Sequence, residues 1–104
     1  MFLDIQSPDG DVVIDLREPY DFSSLFVRAP EYWSRSELAQ QLSGTAAETG
    51  GIWLRTDRVR RWAARHVGDT WESGFVQLLD VLRQQARLSP DGNEVMVVVE
   101  SRVP

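Results

Sequence analysis

Near one end of the chain stand five consecutive apolar residues, Val95-Met96-Val97-Val98-Val99, four of them β-branched. Side chains stiff at χ1 suit a pleated strand and crowd a helix, and the run is far too short to span a membrane. It predicts a strand over Glu94 to Arg102. Because the apolarity is continuous rather than alternating, that strand is expected at the centre of its sheet with both faces covered. A strand of this kind needs partners.

The other end supplies them. Phe2-Leu3-Asp4-Ile5-Gln6 alternates apolar and polar, Ser7-Pro8-Asp9-Gly10 has turn chemistry, and Val12-Val13-Ile14-Asp15-Leu16 follows, so residues 2–16 predict a β-hairpin. The same tetrapeptide recurs as Ser89-Pro90-Asp91-Gly92 just before the C-terminal strand.

Between these ends the period becomes helical. Ser34 followed by Glu37 fits a capping box, with Leu38, Ala39 and Leu42 as an apolar stripe and Gly44 as a left-handed stop. Residues 45–51 read as a flexible loop and Ile52-Trp53-Leu54 as a short strand. Thr56 or Asp57 is placed to cap a helix whose Val59, Trp62, Ala63, His66 and Val67 share one face, ended by Gly68. The longest stripe, Trp71, Phe75, Leu78, Leu79, Leu82 and Ala86, widened by Val76 and Val81, predicts a helix over 71–87. Residues 17–33, with Tyr20, Phe22, Phe26, Tyr32 and Trp33, read as a long irregular connection.

A chain of 104 residues makes one domain, 1–104, and 42% apolar content suffices for a core. The expected fold is α+β. It has a small antiparallel or mixed sheet of three to four strands, the C-terminal strand beside the N-terminal hairpin, with about three helices packed on one face.

There is no cysteine, which excludes disulfides, thiolate metal sites and a cysteine nucleophile; a single histidine excludes a His-rich zinc site. No cofactor, metal or catalytic residue is expected. The N-terminus lacks a basic stretch followed by an apolar one, so the expected location is the cytoplasm.

The charge is uneven. The chain carries net −5, yet residues 51–66 hold five of its eleven arginines against one aspartate, beside Trp53 and Trp62. On a helix Arg58, Arg61 and Arg65 form one row, which could grip carboxylates or phosphates. Arg58, Arg61, Arg65, Trp53, Trp33, Tyr20 and Tyr32 are therefore the candidate interaction residues. The function expected is a small acidic, non-enzymatic interaction module that binds a protein partner or itself. The alternative is a small anionic ligand held between the arginine face and the aromatic connection. Net −5 opposes membranes and nucleic acid. His66 lacks a nucleophile motif and reads as a packing or C-cap residue. The carboxylates Asp9, Asp11, Asp15, Glu18 and Asp21 lack calcium-loop spacing and read as a solvated acidic edge.

Ser36-Glu37-Leu38-Ala39-Gln40-Gln41-Leu42-Ser43-Gly44 resembles the first helix and turn of a helix-turn-helix motif. The resemblance covers nine residues and implies a recognition helix next. The stretch from Thr45 to Leu54 holds no cation and has Gly50-Gly51 in its middle, which opposes reading a major groove.

Overall fold

A computed structural model describes residues 1–7, 10–30 and 33–102. Its elements run β1 (Phe2–Gln6), β2 (Val13–Arg17), β3 (Phe26–Pro30), α1 (Arg35–Gln41), β4 (Thr45–Ala46), β5 (Ile52–Arg55), α2 (Thr56–Ala63), α3 (Trp71–Gln84) and β6 (Glu94–Arg102). The fold is α+β with three helices, and the six strands form one mixed sheet in the order β2-β1-β3-β6-β5-β4. This corrects the expected three to four strands.

The additional strands come from segments that read as loops. β3 lies inside the 17–33 stretch and pairs parallel with β1 and with β6. It therefore separates the N-terminal hairpin from the C-terminal strand, which were expected side by side. β4 occupies the start of the 45–51 segment, pairing antiparallel with β5. The 45–55 region is thus strand, turn and strand, with no recognition helix after the capped α1.

The sheet has two unlike faces because its registers put apolar residues on one side. Leu3 faces Leu16 and Val27, and Ile5 faces Ile14. Ile52 faces Val97 and Leu54 faces Val95. These strand residues join one core with Leu38, Ala39 and Leu42 around α1, Val59 and Ala63 of α2, and Trp71, Phe75, Leu78, Leu79 and Leu82 of α3. All three helices pack on that one face. β6 is central, as its composition predicts, yet only Val95 and Val97 are buried, while Val98 on the opposite face is half exposed. The continuous run reflects an apolar open face and not a second covering layer.

Local chemistry explains most boundaries. Ser34 caps α1 as predicted: its Oγ accepts from the Glu37 N–H at 3.1 Å, and the Ser34 N–H donates to the Glu37 carboxylate at 3.3 Å. The residue in left-handed conformation after α1 is Ser43 and not Gly44; Gly44 is needed because a Cβ would collide with the Trp53 carbonyl oxygen. Thr56 does not cap α2. It is buried, and its hydroxyl bridges to the carbonyl oxygens of Gly92 and Asn93 at 3.1 and 3.3 Å, fastening α2 to the turn before β6. α2 stops at Ala63, so His66 leaves the apolar face and is exposed. α3 ends at Gln84, and Ala86, expected within its stripe, has φ 59° and is exposed. Val76 and Val81 are exposed rather than part of the buried stripe.

The connection from β2 to β3 crosses the helix side, which gives its aromatics a task. The Trp71 indole N–H donates to the Pro19 carbonyl at 2.7 Å, the Gly68 N–H donates to the Tyr20 hydroxyl at 2.8 Å, and the Phe22 ring lies against Gly74 of α3. Phe22, Trp71 and Phe75 follow one another, with ring centroids 6.4 and 4.6 Å apart. The first Ser-Pro-Asp-Gly turn has Pro8 and Asp9 outside the described residues. In the second, Asp91 accepts from the Ser89 hydroxyl at 2.7 Å and from the Asn93 N–H at 2.9 Å, and Gly92 takes φ 76°.

Candidate functional site

The basic segment does not act as one row. Arg55 pairs with Asp57 at 3.2 Å; this hydrogen bond raises the arginine's pKa and holds the Asp57 carboxyl below its ordinary value. Arg60 grips Glu72 of α3 with three contacts of 2.9–3.1 Å and lies over the Phe75 ring at 5.1 Å. Arg58 donates to the Ser43 hydroxyl at 2.9 Å and approaches the Trp62 ring at 5.8 Å. These three are engaged in the protein's own fold.

Arg61 and Arg65 remain. Both are exposed, and neither makes an ion pair or hydrogen bond among the described residues. They line a groove of about 290 Å³ with Trp62 and His66 on one side and Ile14, Asp15 and Leu16 of β2 on the other. Trp62 is half-buried against the core while also walling this groove, so the tryptophan and two of the arginines share a site. Across it the His66 Nε2 lies 3.7 Å from an Asp15 oxygen, and Arg17 reaches the other Asp15 oxygen at 3.4 Å.

The aromatic candidates are elsewhere. Tyr20 is half exposed at the strap over α3, its hydroxyl held by Gly68. Trp33 packs against the core and lines a hollow of about 200 Å³ with Arg35, Leu38, Gly50, Val99 and Ser101. Tyr32 lies outside the described residues. None of the described three borders the Arg61/Arg65 groove, since Trp53 stands on the open face of the sheet, opposite Met96 and Thr45 in register. The arginine face and the aromatic connection are thus not brought together into one pocket.

That open face contains residues which a motif search of the sequence passes over. Phe2, Phe26 and Val98 fall in one row across β1, β3 and β6. Phe2 and Phe26 stack at 5.1 Å, and the Arg28 guanidinium lies 4.5 Å above the Phe2 ring while pairing with Glu100 at 3.0 Å. The neighbouring row continues through Met96 and Trp53, where a shallow hollow of about 460 Å³ is bounded by Thr45, Ser89, Pro90 and Glu94. The signal for these residues is the alternation of β3, in which Val27 and Ala29 are buried and Phe26 and Arg28 face out.

Among the described residues no group of three acidic or histidine side chains is placed to hold a metal ion, and no helix is long and apolar enough to cross a membrane. The chain matches no protein-family model, and neither a curated protein nor a solved structure is significantly similar to it.

Proposed function

We propose that the protein is a non-enzymatic interaction module that docks a protein partner, or a second copy of itself, through the open face of its sheet. The observation carrying this reading is the row Phe2–Phe26–Val98, continued by Met96 and Trp53, on the sheet face that no helix covers among the described residues. Parallel strands are usually covered on both faces; here β1, β3 and β6 pair in parallel, and the face opposite the helices has an apolar, aromatic centre. Aromatic side chains supply large contact area at low entropic cost, and Trp is enriched among residues that dominate binding energy.

Two arginines of this face are already paired: Arg28 is held by Glu100, and Arg17 lies 3.6 Å from Asp4 and 3.4 Å from Asp15. A partner therefore meets an apolar centre beside a polar rim, the anatomy of a protein interface. The molecule measures 36 × 31 Å across its two longer axes, which leaves room for the roughly 800 Å² per partner that a stable complex covers.

Sedimentation velocity at micromolar concentration and capture from the native host test the reading, with Val98→Asp as the control. Val98 is 51% exposed, so the substitution places a charge on the face without emptying the core. Association or capture by the wild type that Val98→Asp abolishes supports the module. The reading is overturned if the wild type is a strict monomer and captures no more protein than Val98→Asp does.

A further inference from the structure

β2 is an edge strand: its inner side pairs with β1, and its outer side faces no other strand among the described residues. Alternate residues of such a strand direct N–H and C=O groups outward, where another extended chain can ladder onto them. In this protein a wall runs beside that edge. The groove between α2 and β2 has Ile14, Asp15 and Leu16 on one side and Arg61, Trp62, Arg65 and His66 on the other. A strand edge next to a helix-lined groove is the geometry by which peptides bind through strand addition.

The side chains indicate the occupant. Arg61 and Arg65 line this groove without an ion pair among the described residues, although the chain carries sixteen acidic residues. Their neighbours Arg55, Arg58 and Arg60 are all engaged. Arg61 lines the groove from the last turn of α2 and Arg65 from the turn just beyond its end, and same-face side chains of a strand recur about every 7 Å. Ile14 and Leu16 face the helix side and Trp62 walls it, so same-face residues of an added strand meet apolar surface and two cations. On the opposite face the neighbour is Asp15, held by Arg17, which disfavours a second acid there, and the added strand displaces the 3.7 Å contact of His66 with Asp15 that spans the groove.

We propose that the groove binds an extended acidic peptide that adds to β2 as a seventh strand, with acids at alternate positions against Arg61 and Arg65. The site is distinct from the open sheet face, and each can fail without the other.

The probe is a blocked, fluorescently labelled peptide of alternating glutamate and valine, followed by anisotropy at low salt and by amide hydrogen exchange over residues 13–17. Three companions complete the set: a lysine–valine peptide, a glutamate–valine peptide N-methylated along one edge, and inorganic phosphate as competitor. The expected result is binding of the glutamate–valine peptide with added protection of β2. The lysine and N-methylated peptides bind weakly, and phosphate fails to displace the probe beyond the effect of matched ionic strength. The double variant Arg61→Gln/Arg65→Gln, confined to exposed side chains, weakens binding roughly tenfold, as two exposed ion pairs allow. Val98→Asp leaves it unchanged.

The proposal is overturned by equal binding of the lysine peptide, equal binding of the N-methylated peptide, no added protection in β2, or an unaffected double variant. Displacement by phosphate beyond ionic strength also overturns it, in favour of a small-anion site.

Discussion

Gly74 sits in the first half of α3, where the intrinsic helix scale makes alanine better by about 1 kcal/mol. The structure reverses that sign. A Cβ on residue 74 would stand less than 3.0 Å from three carbons of the Phe22 ring, so the ring must move. Overpacking of this kind costs about 1–3 kcal/mol, and shifting Phe22 also disturbs its contacts with Tyr20 and Trp71, worth about 0.5–1.5 kcal/mol per ring pair. Taking the low end of each cost and subtracting the propensity gain leaves Gly74→Ala destabilising by at least about 1 kcal/mol. For a domain of this length that lowers Tm by at least roughly 4 °C. Calorimetry and urea unfolding measure it. The decisive comparison is the Phe22→Ala background, where the obstruction is gone and Gly74→Ala should stabilise by up to about 1 kcal/mol. If Gly74→Ala raises Tm in the wild type, or has the same effect in both backgrounds, the ring does not enforce the glycine.

Thr56→Val removes the hydroxyl that donates to the Gly92 and Asn93 carbonyls; it should cost about 1–2 kcal/mol by urea unfolding, with Thr56→Ser restoring most of it. Ala86→Gly relieves a left-handed alanine at an exposed site and should stabilise by about 1 kcal/mol in the same assay. Asp21, Asp57 and Asp91 all titrate below their ordinary value, through hydrogen bonds donated chiefly by Ser23, Arg55 and Ser89 respectively. A carboxyl depressed in the folded state binds fewer protons there than when unfolded. The stability it contributes is therefore complete above the unfolded pKa of about 3.9 and is lost as pH falls through the folded value. A urea midpoint that stays flat from neutral pH into that acidic range contradicts this, and Asp91→Asn should make the acid fall shallower.

What was legible in the sequence was local. The Ser34–Glu37 capping box, the β1–β2 alternation and the Trp71–Leu82 stripe each need only near neighbours to specify them, and each formed. β3 was hidden because its outward positions include Phe26, which masks the alternation of Val27 and Ala29; pairing with β1 and β6 makes it a strand. β4 has two residues and exists through β5 and α1. The site divided for the same reason. Nothing in the spacing of Arg58, Arg60, Arg61 and Arg65 says which of them is occupied. That depends on Ser43 and Glu72, brought to α2 by the fold. Likewise Trp53 and Trp62 look alike in sequence, and only the sheet register and the helix packing send them to opposite sides of the molecule.

The placement of β6 has a consequence for how the chain acquires its structure. β6 alone joins β2-β1-β3 to β5-β4, and without its ladder hydrogen bonds β3 and β5 each have a bare edge. Contacts between Phe26 and Val98, or Val27 and Val99, close over about seventy residues, so the pairing that joins the halves must come late and slowly. A half-sheet formed before β6 pairs has a bare edge on the flank that β6 fills, and such edges are prone to recruit another chain. β6 acts as a keystone: its pairing, rather than the formation of any helix, covers both of these edges at once.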